Sequence, residues 1–221
     1  MKIIIPVKSQ SERIINKNFR PFYKNMSLTD ILVEKLLKIV NSRDIYISCD
    51  DTSIMEMCKS YEINFVKRDK VLIHNETPMS KVITEVVDSI PGDDDIMWCL
   101  VTDPLFNSYR ACIEKWRSLD KKKYDSLCVV YNLTEYILDS DFKPINFGLG
   151  ENHVPTQNLK KMYLLNNTLF IIQRESLFKN QYYIGEKPYW FIPDNFSIDI
   201  DTEQDFKAAQ ILYEDFEEWI E

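Results

Sequence analysis

Three observations predict an α/β chain built on a three-layer, mostly parallel sheet. Short runs rich in branched apolar residues alternate with amphipathic stretches through the first 131 of 221 residues. The apolar runs lack the polar/apolar alternation of a one-sided sheet, so they read as strands buried on both faces. Strand–helix–strand order then implies parallel pairing with helices on both faces.

The elements follow in order. Residues 2–7 (KIIIPV) form the first strand, and residues 27–40 a helix. In that helix Leu28, Ile31, Leu32, Leu36 and Val40 make one stripe, with Ser27 and Asp30 as a capping box. A strand over 44–48, a helix over 51–61 and a strand over 63–67 come next, then a helix over 80–90 that stops at Pro91-Gly92. A strand over 95–101, a helix over 108–119 and a strand over 126–131 complete the alternation. Residues 132–193 break it: they are rich in Tyr, Asn and Phe, hold Gly148, Gly150 and Gly185, and read as a small β excursion that covers a site or joins a second subunit. The last helix, from residue 203 to 220, repeats Phe206, Ala209, Tyr213, Phe216 and Ile220 in steps of three and four. With no linker or internal repeat, residues 1–221 read as a single domain.

Composition excludes several classes. The hydrophobic fraction is 45% and the net charge −8, which disfavours nucleic acid as a partner, because that usually needs a basic footprint. No stretch approaches the roughly 18 apolar residues of a membrane span, and the N-terminus lacks the pattern of a signal peptide. Cys49, Cys58, Cys99, Cys112 and Cys128 are scattered, odd in number and without a CxxC. They read as reduced core thiols of a cytoplasmic protein. His74 and His153 lie too far apart to suggest a zinc site.

Two segments carry candidate chemistry. In FSIDIDTEQD (residues 196–205) Asp199 and Asp201 sit two apart in an apolar, strand-like frame, so both point to one face. Such a pair suits Mg²⁺, which takes one or two carboxylates and completes its shell with water and phosphate. The other reading is that Asp201 or Thr202 caps the last helix. At the other end, Lys8, Ser9, Ser11, Arg13 and Lys17 follow the first strand, in the place where a polyphosphate is met by hydroxyls, backbone N–H groups and cations. There is no glycine before Gly92 to give this loop left-handed freedom, and a solvated basic loop is the alternative.

Taken together, these segments resemble the cytidylyltransferases that activate acidic sugars, the CMP-sialic acid and CMP-Kdo synthetases. VKSQSERIINKN (residues 7–18) is similar to that family's A-R-x-x-S-K-x-x-P-x-K-N, matching at Ser11, Lys17 and Asn18 and departing at Lys8, Glu12 and Ile15. ISCD (47–50) resembles V-S-T-D, and VKR (66–68) the family's apolar-x-R step, with Asp69 where Pro is usual. TDPL (102–105) is similar to the Q-P-T-S-P-L-R turn, PTQNL (155–159) to P-R-Q-x-L, and NNTLFI (166–171) to N-G-A-I-Y-I. SIDIDT (197–202) reproduces the family string outright.

The resemblance implies a nucleotidyltransferase fold of the Rossmann-like type, CTP and an acidic acceptor as substrates, Mg²⁺ as cofactor and a homodimer joined by the 132–193 excursion. It implies catalytic roles for Lys17, Asp199 and Asp201, with the two aspartates on the metal. It gives Lys8, Ser9, Ser11, Arg13, Asn18 and Arg68 to the nucleotide, and Asp103 and Gln157 to the acceptor; His153, in the same 132–193 segment, is a further candidate acceptor residue. Asp103 could instead be a second metal ligand, a base or a turn acid. Leu100, Thr156 and Leu164 stand where sialic acid synthetases place a Gln and two Arg. That leaves three readings: a 2-keto sugar acid as acceptor, a phosphonate or other small acid, or a degenerate nucleotide-binding module without turnover.

Overall fold

The computed structural model describes all residues except Glu12, Asn75, Asn195 and 218–221, and omits the side chains of Phe216 and Glu217. Strands β1 (Lys2–Pro6), β2 (Ile45–Cys49), β3 (Asn64–Lys67), β4 (Ile96–Cys99), β5 (Ser126–Leu133), β6 (Met162–Ile172) and β7 (Pro188–Phe191) form one sheet of order β3-β2-β1-β4-β6-β5-β7. Helices α1 (Leu28–Leu37), α2 (Met55–Ser60), α3 (Met79–Asp88), α4 (Tyr109–Ser118), α5 (Arg174–Asn180) and α6 (Glu203–Glu217) surround it.

Both faces of the sheet are dry, as the continuous apolar strands predict. Ile3 and Ile5 of β1, Met97 and Cys99 of β4, and Leu127 and Val129 of β5 join one core with α1, α4 and α6. Ile4, Trp98 and Cys128, one residue out of phase, join the other core with α3 and α5. This is the side-chain alternation of strands in a three-layer sandwich. Helix α1 begins as expected: the Asp30 N–H donates to Ser27 Oγ (3.2 Å) and the Ser27 N–H donates back to Asp30 Oδ2 (2.8 Å). The expected repeat positions Phe216, as a side chain, and Ile220 lie outside the described residues.

Residues 132–193 differ from the expectation. Much of this segment belongs to the sheet: β6 runs antiparallel between β4 and β5, and β7 pairs parallel with β5. The irregular excursion is confined to residues 134–161, which carry two short 3₁₀ turns. Strand β6 is hard to see in the sequence because Asn166 and Thr168 interrupt its apolar run. Both are buried, and they face a buried carboxylate rather than solvent. A second difference is local. Residues 197–201 lie outside the sheet, tied to it by the Ile200 N–H donating to the Thr102 carbonyl (2.8 Å).

Candidate active site

The chain proceeds from β1 outward to β2 and β3, then crosses back to β4 on the other side of β1. Such a reversal opens a crevice at the carboxyl ends of the two central strands. A cleft of about 860 Å³ lies there, with Lys8, Ser11, Arg13, Lys17 and Asn18 on one side and Leu100 and Thr102 on the other. The glycine-free loop makes its sharp turn with Asn16, at φ 52. Asparagine tolerates this left-handed region better than other non-glycine residues.

The cations of the loop meet the carboxylates of the segment before α6. Arg13 Nη2 is 2.7 Å from Asp201 Oδ1. Lys17, 8% exposed, donates from Nζ to the Ile200 carbonyl (2.5 Å) and lies 4.0 Å from the same Asp201 oxygen. Burial lowers the Lys17 pKa, against the opposing pull of Asp201 and Asp199. Asp199 is open to solvent by surface area yet recessed among protein atoms. Desolvation therefore raises its pKa, opposed by a hydrogen bond with Thr102, and the neighbouring Asp201 adds to the rise.

The helix start does not consume either acid. Thr202 and Asp205 form the capping pair of α6: the Asp205 N–H donates to Thr202 Oγ1 (3.2 Å), and the Thr202 N–H donates to Asp205 Oδ2 (2.8 Å). The Asp201 backbone N–H also donates to Asp205 Oδ2 (3.1 Å), leaving its carboxylate free of the cap. Neither carboxylate lines the cleft itself; the pair stands behind its wall, Asp201 against Arg13 and Lys17 and Asp199 against Thr102, and offers hard oxygen donors there. Among the described residues, no group of three or more His, Cys, Asp or Glu side chains is placed to hold a metal by itself. Two carboxylates beside a cleft lined by Lys8, Arg13 and Lys17 fit Mg²⁺, which takes few protein ligands and keeps several waters.

Other expected site residues hold the loop together. Ser9 donates from Oγ (2.5 Å) and N–H (3.0 Å) to Asp50. Burial works to raise the Asp50 pKa, but the two Ser9 donors outweigh it and leave it lowered. Asn18 donates from Nδ2 to the Lys8 carbonyl (3.1 Å), and its own carbonyl accepts from Thr29 Oγ1 (2.7 Å). Arg68 is buried with Nη2 on the Val7 carbonyl, and its Nε has no protein partner among the described residues. It lines an adjoining cleft of about 720 Å³ with Ser9, Asp50 and Asp51.

The structure gives Asp103 a different place from the expected acceptor contact. It is 2% exposed. Its Oδ2 accepts from Asn166 Nδ2 (3.0 Å), Thr168 Oγ1 (2.8 Å) and Ser197 Oγ, and its Oδ1 from the Phe106 N–H (3.2 Å). Both oxygens are thus satisfied by protein donors, and the residue ties β6 and the Ser197 segment to the turn after β4. His153 and Gln157 also lie elsewhere. His153 packs against Tyr136, whose hydroxyl is 3.2 Å from Nε2, and Gln157 is exposed in a 3₁₀ turn; neither lines the cleft.

Sequence reasoning missed Gln10, His74 and Glu76 in the cleft wall, and gave Thr102 no role beyond its turn. Thr102 follows directly from its place after a buried strand, beside Asp103. His74 and Glu76 follow Arg68 across a short 3₁₀ helix (Lys70–Ile73), and no periodicity points to them.

Comparison with known proteins bears on this geometry. The N-acylneuraminate cytidylyltransferase of Streptococcus agalactiae serotype V is 22% identical over 211 residues, covering 92% of this chain and 51% of the relative. The chain thus spans about half the length of that relative. A pseudaminic acid cytidylyltransferase of Campylobacter jejuni is 25% identical over 239 residues, covering 95% of this chain and 94% of the relative. Among solved structures, a CMP:2-keto-3-deoxy-manno-octonic acid synthetase complexed with CTP superposes with a TM-score of 0.68 at 10% identity, covering 97% of this chain and 98% of the other. At that identity the likeness speaks to the fold alone, and it agrees with the nucleotidyltransferase architecture. The family model described as cytidylyltransferase matches residues 2–214, nearly the whole sequence, and on that match the chain belongs to the cytidylyltransferase family.

Proposed function

We propose that this chain transfers CMP from CTP to an acidic acceptor of the 2-keto sugar acid class, releasing pyrophosphate. The observation that carries the reading is the meeting of Arg13 and Lys17 with an Asp199–Asp201 pair left free by the helix cap. An acceptor oxygen forms a bond to the α-phosphorus as the bond to the pyrophosphate oxygen breaks. Catalysis of such a step is positioning and charge neutralisation.

Arg13 and Lys17 supply positive charge to the triphosphate, and Lys17 offsets the charge that grows on the leaving pyrophosphate. Lys8 and Ser11 line the same wall. Asp199 and Asp201 are the residues that would hold Mg²⁺, which supplies further charge neutralisation when bound. Arg68 has a buried Nε without a protein partner among the described residues and lines the adjoining cleft with Ser9 and Asp50, where it would meet the nucleoside. Asn18 acts by bracing Lys8, and Asp103 by holding the turn.

The acceptor reading is drawn from the relatives, which act on N-acylneuraminate and pseudaminic acid. A second reading, CTP-dependent activation of a phosphonate or other small acid, is favoured by Leu100 in the cleft wall and by Thr156 in place of arginine. Leu and Thr offer no fork to a sugar carboxylate. We further propose a homodimer through residues 134–165, supported by exposed Phe142, Leu149, Tyr163 and Leu164, and a cytoplasmic location, supported by five free, buried cysteines. No described helix is long and apolar enough to cross a membrane.

The experiment is pyrophosphate release with CTP, Mg²⁺ and a panel of keto-sugar acids and phosphonates. Turnover of a nonulosonic or Kdo-like acid is expected, with N-acetylneuraminic acid a poor acceptor. Efficient turnover of N-acetylneuraminic acid, above about 10⁴ M⁻¹s⁻¹, overturns the reading of Leu100 and Thr156. No release with any acid overturns the proposed activity.

A further inference from the structure

The cationic turn and the carboxylate segment meet along a regular set of contacts. Arg13 reaches Asp201, Lys17 reaches the Ile200 carbonyl, and Arg20 places Nη1 and Nη2 on the two Glu203 oxygens at 2.8 and 2.7 Å. The segment is a series of tight turns here, with the Lys17 N–H on the Ile14 carbonyl (3.2 Å) and the Arg20 N–H on the Asn16 carbonyl (2.8 Å). By their contacts Lys17 and Arg20 form two rungs against Ile200 and Glu203.

The rungs differ in what surrounds them. Arg13 and Lys17 line the cleft, whereas Arg20 does not. If phosphate and metal enter, Arg13, Lys17 and Asp201 must trade their present partners for substrate. The outer rung has no such competitor and is anchored from behind. The Arg20 guanidinium lies 3.7 Å over the buried Phe206 ring, which meets Phe22 edge-on at 5.2 Å. Gln210 Nε2 donates to the Phe22 carbonyl (2.7 Å).

We propose that the Arg20–Glu203 pair is a positioning pair that keeps the cationic turn in register with the Asp199–Asp201 segment while the inner contacts exchange for substrate. This rests on the cytidylyltransfer reading for what the inner contacts bind. An exposed ion pair adds little to stability. A two-pronged guanidinium–carboxylate contact fixes orientation, and orientation is what an in-line displacement needs.

The test compares Arg20→Lys, Arg20→Gln, Glu203→Gln and the Arg20→Gln/Glu203→Gln double variant in the full chain. Steady-state kinetics with CTP and Mg²⁺ are read beside Tm and amide exchange. Each Gln variant should lower kcat about 10- to 10²-fold, the cost of a small misplacement at the reacting centre. Exchange should quicken over residues 14–22 and not in α3. Arg20→Lys, which keeps charge without the fork, should fall between, and the double variant should be no worse than either single. A kcat and CTP KM within about twofold of wild type, or multiplying effects in the double variant, overturns the proposal. If wild type releases no pyrophosphate with any acid, the functional reading fails by itself. The pair is then judged on exchange and on CTP binding by calorimetry: faster exchange confined to the turn with weaker CTP binding supports it, and unchanged values reject it.

Discussion

The turn at residues 8–20 and the loop at residues 134–161 are both irregular segments attached to the sheet, but they are held in opposite ways. The first is fastened by this chain's own groups: Lys17 and Asn18 are buried, Ser9 is bound to Asp50, and Arg20 is bound to Glu203. The second exposes what a folded chain usually hides. Phe142 is 83% exposed and Leu149 67%, and Leu164 of the adjoining β6 is 56% exposed. A single chain thus finishes the cationic side of the cleft, while the second segment leaves several large apolar side chains in solvent. Such exposure is what motivates the proposed subunit contact.

The largest effect that sharpens this contrast should come from the finished half. Asp199→Asn or Asp201→Asn should lower kcat about 10³-fold, and Lys17→Ala about 10²- to 10³-fold, the range for losing one electrostatic group aimed at developing charge. The aspartate variants should fold as well as wild type, since burial first and Asp201 after it raise the pKa of Asp199, and a neutral Asn relieves that cost. Pyrophosphate release with and without excess EDTA, beside a thermal melt, reads both. Full activity in EDTA would break the assignment of the pair to a metal.

Asp103 tests where the finished half ends. As a buried acid with donors on both oxygens, it should cost stability when replaced. Asp103→Asn puts an amide NH₂ toward Thr168 and Ser197, and leaving such donors unpaired costs about 1–3 kcal/mol. Urea unfolding measures it. Unchanged stability with lost activity would return Asp103 to the acceptor or the metal.

How much of this was legible in the sequence follows the same division. The strand order to residue 131, the Ser27 box and the Asp199–Asp201 pair could be read because each obeys a local rule of period, cap or spacing. Antiparallel β6 could not, because Asn166 and Thr168 answer to Asp103, which lies more than 60 residues away. Spacing placed Asp199 and Asp201 together but supplied the wrong cause, a sheet strand. The extended segment is held instead by Ile200 on Thr102 and Lys17. Gln157 matched a motif and His153 only lay in the segment expected to cover the site, and neither lines the cleft.

A smaller effect probes the unfinished half. Leu164→Asp should shift the protein toward monomer in sedimentation velocity at micromolar concentration, with the thermal melt at low concentration unchanged. Phe142→Ser should do the same. An oligomeric state insensitive to both would mean that the exposed apolar residues serve another purpose.

The smallest effect concerns Lys35, beneath the turn that supports the carboxylate segment. Its Nζ donates to the Pro104 and Phe106 carbonyls. Burial nevertheless pushes its pKa from 10.5 down to about 7, with Asp103 opposing. Between those values the unfolded chain binds a proton that the folded chain does not, so stability rises with pH. Lys17, also lowered by burial, adds in the same direction. The buried thiols act oppositely. Burial raises Cys49 and Cys58 from 9.0 to about 11 and Cys128 to about 12, so above about pH 9 the unfolded chain loses protons that the folded chain keeps. Urea midpoints should therefore climb from pH 7 to about 9 and then fall. Lys35→Met should flatten the climb and leave the fall in place. A Lys35→Met profile parallel to wild type throughout would show that the two carbonyls keep Lys35 charged, and that the turn under the carboxylate pair is held by an ion rather than by a neutral amine.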